Sequence, residues 1–154
     1  MRWDWRAFDA LTPHALYAAM RLRQQVFVIE QACLFVDADG HDVDAWHLLG
    51  WLDDDEGTPR LAAYARVFAP GVIFAETSIG RIATDRTLRG AGHGRALVHE
   101  ALRRAESLAP GAPVRIAAQR HLEPFYAAFG FQRAGDDFIE DGIPHVEMVR
   151  RPDA

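Results

Sequence analysis

Apolar and polar residues alternate at the start of the chain. Trp3, Trp5 and Ala7 are set against Arg2, Asp4 and Arg6, a period of two that predicts a half-buried strand over Trp3 to Phe8. Thr12-Pro13 supplies a helix N-cap followed by a residue whose missing N–H costs nothing in a first turn. Leu16, Ala19, Met20, Arg23 and Val26-Phe27 then recur at helical spacing and predict a first helix from Pro13 to Gln25. The short apolar Phe27-Val28-Ile29 is parted by the acidic stretch Asp37 to Asp44 from a strand over His47 to Leu52. Asp53 to Pro59 is rich in turn formers, so Arg60 to Phe68 is expected to return as the antiparallel arm of a hairpin.

A further strand, Ser78 to Thr84, leads into a glycine-rich turn. Beyond it Leu97, Val98, Ala101, Leu102, Ala105 and Leu108 mark one face of a long helix that Pro110-Gly111 ends. Val114 to Ala118 is a strand, His121 to Phe129 a short helix stopped by Gly130, and Phe131 to Phe138 another strand. Asp141-Gly142 makes the hairpin turn into Pro144 to Arg150. The order strand, helix, three strands, helix, strand, helix, two strands predicts an α/β (α+β) protein whose sheet mixes strand directions. No repeat or long linker interrupts it, so residues 1–154 are expected to form one domain.

Composition narrows the chemistry. The chain has no lysine and no asparagine, and its 17 cationic residues are all arginine. Schiff-base catalysis, a pyridoxal phosphate anchor and a P-loop are thereby excluded. One cysteine, Cys33, excludes an internal disulfide and cysteine-rich zinc sites, and no metal is expected. A net charge of −5 with scattered arginines argues against binding nucleic acid or an anionic membrane. No apolar run reaches the length of a membrane span, and Met1 to Arg6 has no signal-peptide character, so a cytoplasmic protein is expected. Trp3, Trp5, Trp46 and Trp51 are a candidate exposed patch for a homodimer.

Arg89-Gly90-Ala91-Gly92-His93-Gly94-Arg95 lies between a predicted strand and a predicted helix. Backbone N–H groups at a helix start have no intrahelical partner and sit at the positive end of the dipole, so this turn can grip a phosphate. Arg89 and Arg95 can add charge-assisted contacts. A dinucleotide fingerprint does not fit, because its third glycine falls at Arg95 and no acid lies between Glu106 and Glu123. The alternative is a turn that only packs the helix against the sheet.

Together with the strand Ile79-Gly80-Arg81-Ile82-Ala83-Thr84, Gln119, Phe125-Tyr126 and Gly130-Phe131, this turn resembles the GCN5-related N-acetyltransferase (GNAT) superfamily. Arg89, Gly92 and Gly94 fill its Q/R-x-x-G-x-G/A signature in order. Phe27 to Gln31, Asp39-Gly40, His47-Leu48 and Glu140 to His145 resemble the ElaA-type branch. The resemblance implies a mostly antiparallel sheet flanked by helices and acetyl-CoA as co-substrate. It places the pantetheine arm on the backbone of Ile82, Ala83 and Thr84, and the pyrophosphate on the amides from Gly90 to Arg95. It makes Tyr126 the general acid, and Gln119 stands where relatives usually carry asparagine.

The strand from Ser78 to Asp85 lacks the glutamate that many relatives use as a base, leaving Glu30, His47 and His145 as candidates. Each has a structural alternative: a local cap, a core histidine and a hairpin end. Asp37 to Asp44 fails the calcium-loop pattern, since its sixth position is Asp42 and its twelfth Leu48. A site on His41, Asp42 and His47, or attraction of a cationic amine by Asp42 and Asp44, are the other readings of this loop. Cys33 is expected to be buried and inert, and His93 to contribute backbone only. The resulting expectation is an acetyl-CoA-dependent N-acetyltransferase acting on a small-molecule or peptide amine. The alternatives are a non-catalytic acyl-CoA sensor and a metal- or partner-binding module.

Overall fold

The computed structural model describes residues 1–153. Its elements are β1 (Arg2–Ala7), α1 (Pro13–Arg23), β2 (Trp46–Asp53), β3 (Pro59–Phe68), β4 (Thr77–Thr84), α2 (His93–Leu108), β5 (Val114–Gln119), α3 (Glu123–Ala127), β6 (Gln132–Arg133), β7 (Phe138–Glu140) and β8 (Ile143–Arg150). The strands form one sheet in the order β1-β2-β3-β4-β5-β8-β6, with β7 also paired to β8. Among the described residues β4–β5 is the parallel pair and the other pairs are antiparallel. The mixed, mostly antiparallel sheet expected from the sequence is thus what the chain forms.

Alternation in β2 and β3 sorts the core into two. Leu48, Ala63, Ala65 and Val67 face α2 and α3, meeting Leu97, Val98, Ala101 and Tyr126. Leu49 and Tyr64 face the other way, toward Ala15, Ala19, Leu22 and Val26 of the first helix. Leu61 joins that second side because Ala62 is an extra residue in β3, with Gly50 opposite Ala63 and Trp51 opposite Leu61.

Thr12 caps α1 as the sequence predicts, its hydroxyl accepting from the Ala15 N–H at 3.1 Å. The helix does not stop at Gln25. It widens into π-helical turns over Gln24–Glu30, closed by the Gln31 N–H donating to the Val26 carbonyl, so Phe27 to Ile29 belongs to it. The strand expected over Phe131 to Phe138 is split into β6 and β7 around Gly135. The helix expected over His121 to Phe129 is α-helical only in α3, after a 3₁₀ turn at Arg120–Leu122. Asp141 and Gly142, at φ +50° and +75°, form the two-residue turn between β7 and β8 as expected. Trp5 stacks on Trp46 at 5.2 Å, and Trp3, Trp5 and Trp46 seal one core while Trp51 packs on the other. The four rings are half-buried, not the exposed patch anticipated for a homodimer.

Candidate active site

Two features of β4 open a cleft through the sheet. On one side, β4 meets β5 only at Thr77–Val114 and Ser78–Arg115, after which the strands separate. On the other, the register with β3 shifts between Tyr64 and Arg66, and Arg81 adopts φ +49° at the extra residue. Beyond Ser78, therefore, β4 holds β3 with one edge and leaves the other unpaired. The space between the splayed strands, with the loops above it, is a cleft of about 500 Å³. Ile79 to Ile82 line one wall and Ile116 to Gln119 the other, with Tyr126, Ile143 and His145 beside them.

The glycine turn follows the end of β4, where the strands stand apart. Gly90 and Gly92 have φ +92° and +83°, values open to glycine, and Gly92 is the N-cap of α2. The first intrahelical bond is Ala96 N–H to the Gly92 carbonyl. The amides of His93, Gly94 and Arg95 precede it and have no helical acceptor. Among the described residues, the adjoining backbone aside, nothing lies within 4 Å of where a Cβ would stand on Gly90, Gly92 or Gly94, so an anion can reach the main chain. Arg95 lies over the Phe129 ring at 5.3 Å.

Tyr126 is 6% exposed, in an aromatic cluster with Phe125, Phe129 and Phe131, and still borders the cleft. Among the described residues no group hydrogen-bonds its hydroxyl. Burial pushes its phenol up to about 12, so the hydroxyl keeps its proton through the neutral range. Gln119 Nε2 donates to Gln31 Oε1 at 2.9 Å, tying β5 to the end of the first helix.

The candidate bases separate sharply. His47 has no exposed surface, and its Nδ1 and Nε2 are engaged by the Tyr64 hydroxyl at 2.7 Å and the Asp42 carbonyl at 2.9 Å. Burial, only partly offset by Asp42, pushes its pKa down. It is the core histidine, not a base, and with both nitrogens occupied it offers nothing to a metal. Glu30 forms a two-pronged ion pair with Arg89, whose guanidinium also donates to the Thr84 carbonyl. Glu30 is therefore drawn to the glycine turn and away from the cleft lining. His145 lies in the cleft, stacked on Phe138 at 5.7 Å. Its Nδ1 is 2.7 Å from the Ile143 carbonyl, which can only accept, so Nδ1 carries the proton and Nε2 is the basic nitrogen. Glu140 Oε2 lies 3.7 Å from Nε2.

The acidic loop is not a solvated lure for amines. Asp42 Oδ1 accepts from buried Arg23 at 2.6 Å and from Arg66 at 3.0 Å. Asp37 accepts from Arg23 at 2.7 Å, and Asp39 takes both Nη atoms of Arg66. Arg81 adds contacts to Asp37 and Asp39. Burial alone would raise Asp39 and Asp42, but the arginine hydrogen bonds and charges outweigh it and hold both below the usual carboxylate range. Asp44 is exposed and lies outside the cleft lining. Cys33 is buried as expected, yet it borders the cleft, and burial pushes its thiol up.

A sheet split beside a glycine-rich helix start, with a buried tyrosine bordering the cleft, is the fold of the acyl-CoA N-acyltransferase structures that this chain matches. The chain belongs to the GNAT acetyltransferase family: residues 59–152 match the acetyltransferase (GNAT) domain. Among its relatives is a UPF0039 protein of Synechocystis sp., 40% identical over 98% of this chain and 96% of that protein. An acyl-CoA N-acyltransferase from Pseudomonas aeruginosa is 38% identical, with a TM-score of 0.89 over 97% of this chain and 98% of that one. The crystal structure of Escherichia coli ElaA is 37% identical, with a TM-score of 0.88 over 97% and 99%.

Proposed function

We propose that the chain is an acetyl-CoA-dependent N-acetyltransferase acting on the amine of a small molecule or peptide. The observation that carries this reading is the continuity of the unpaired β4 edge with the open amides at the start of α2. An extended amide-bearing arm fits the first and a diphosphate fits the second, so the donors present suit coenzyme A. Ile82, Ala83 and Thr84 offer backbone hydrogen bonds to the arm. The amides from Gly90 to Arg95 face the diphosphate, joined by Arg89 once Glu30 releases it, and by Arg95.

Acetyl-CoA supplies an acetyl thioester when bound. His145 Nε2 takes the proton the amine must lose as its nitrogen bonds to the carbonyl carbon. The Tyr126 hydroxyl gives its proton to sulfur as the C–S bond breaks, and burial keeps that proton in place until then. Gln119, bridging to Gln31, holds the β5 wall. Free thiol release from acetyl-CoA, followed across amines by a colorimetric thiol reagent, tests the reading. Amine-dependent release supports it. Tight acetyl-CoA binding with no release from any amine would make the chain a sensor of the same fold.

A further inference from the structure

The amine side of the cleft has a definite chemical character, and from it a class of acceptor follows; this inference rests on the transferase reading. Phe27, Phe35, Phe68, Phe74, Ile73 and Ile143 line that side. Further apolar side chains adjoin lining residues in the chain: Leu34, between Cys33 and Phe35, is 90% exposed, Val36 77%, and Ile139 on β7, next to Glu140, 69%. Single exposed apolar residues are ordinary, but these adjoin residues that line a cavity walled by aromatic rings.

Charge completes the picture. The two arginines that reach the cleft, Arg66 and Arg81, are engaged by Asp39, Asp42 and Asp37. A substrate carboxylate would find no released guanidinium there and would meet Asp39. The acids at the β7–β8 turn, Glu140 and Asp141, are exposed, border the cleft and have no arginine partner among the described residues. Glu140 stands beside Nε2 of His145.

We infer that the acceptor is a hydrophobic primary amine, an ammonium on an aryl or alkyl body without a carboxylate. Its body lies among the phenylalanines, and its nitrogen approaches from the Glu140 side, where His145 deprotonates it. A polyhydroxylated amine would leave hydroxyls unpaired against aromatic rings. An amino acid would bring its carboxylate to a cleft whose free charges are already negative.

Phenethylamine, L-phenylalanine, spermidine and kanamycin are the discriminating probes, assayed at saturating acetyl-CoA. The expected order puts phenethylamine at least about tenfold above each of the others in kcat/KM, the scale of one buried methylene pair or one mispaired charge. A preference for spermidine, kanamycin or phenylalanine overturns the inference. With Glu140→Gln, KM for phenethylamine should rise about threefold while KM for acetyl-CoA stays unchanged, since exposed charges steer weakly. If no amine is acetylated although acetyl-CoA binds, the transferase reading fails, and calorimetry of phenethylamine with the CoA-loaded protein then reads the acceptor class alone. Binding upholds the class, and absence of heat up to millimolar amine sinks it.

Discussion

Asp42→Asn is the most informative single change. The carboxylate is nearly buried and bridges Arg23, which has no exposed surface, to Arg66, which is 5% exposed. Asn keeps the shape and one acceptor oxygen but removes the charge. Three arginines, Arg23, Arg66 and Arg81, are then opposed by two aspartates, Asp37 and Asp39. Breaking one side of a buried pair costs about 3–5 kcal/mol, because an uncompensated charge stays in a medium that solvates it poorly. Each arginine here keeps a second aspartate, so the lower end, about 3 kcal/mol, applies. For a chain of this size that lowers Tm by about 6–12 °C. Thermal unfolding by circular dichroism, with urea titration as a check, measures it. The decisive comparison is the double variant Arg23→Met with Asp42→Asn. Removing a cation together with the anion rebalances the group, so the double variant should melt above Asp42→Asn alone. A shift under 2 °C for Asp42→Asn, or a double variant that simply adds the two losses, would refute charge balance as what holds this loop.

Tyr126→Phe should fold with an unaltered Tm and acetyl-CoA affinity yet lose about tenfold to a thousandfold in kcat, read by thiol release; an unchanged rate removes Tyr126 from the chemistry. Gly92→Ala must adopt φ +83° at the start of α2. It should cost about 1 kcal/mol in stability and weaken acetyl-CoA binding in calorimetry more than it weakens amine binding. His47 is held below its ordinary value of 6.5 in the fold, so below that pH the unfolded chain binds a proton the folded chain refuses. Stability is then complete above about pH 6.5 and declines as pH falls, by up to about 1.4 kcal/mol per unit, and His47→Gln should flatten that slope in urea titrations. Asp39 and Asp42 are held below 3.8, so their contribution persists above that value and is lost on further acidification, a second decline that Asp42→Asn should shrink.

What the sequence reveals is local in origin. Thr12-Pro13, Asp141-Gly142 and the run Arg89 to Arg95 each carry their conformation in adjacent residues, and each forms the cap, turn or helix start expected. The face of α2 is likewise written in its own spacing. The loop from Asp37 to Asp44 is different. Its meaning depends on Arg23, Arg66 and Arg81, which arrive from α1, β3 and β4, and a run of aspartates gives no local sign of which partners will neutralise it. Glu30 was drawn to Arg89 across 59 residues for the same reason. The bulge at Arg81 and the early parting of β4 from β5 also left no mark, since both arise from how strands register. Of the residues expected at the site, Ile82, Gln119, Tyr126 and His145 come together in the cleft and Gly90 to Arg95 form the turn beside it. The phenylalanines and Arg81 that also line the cleft were not anticipated.

The parting of β4 from β5 also bears on how the protein behaves with nothing bound. A run of main-chain donors and acceptors in the middle of a sheet and not at its border can pair with any extended segment, including one from another molecule. Its depth and the Gln31–Gln119 bridge restrict access to it. If coenzyme A sits there as proposed, adding it should suppress slow self-association, read by light scattering of the stored protein with and without it.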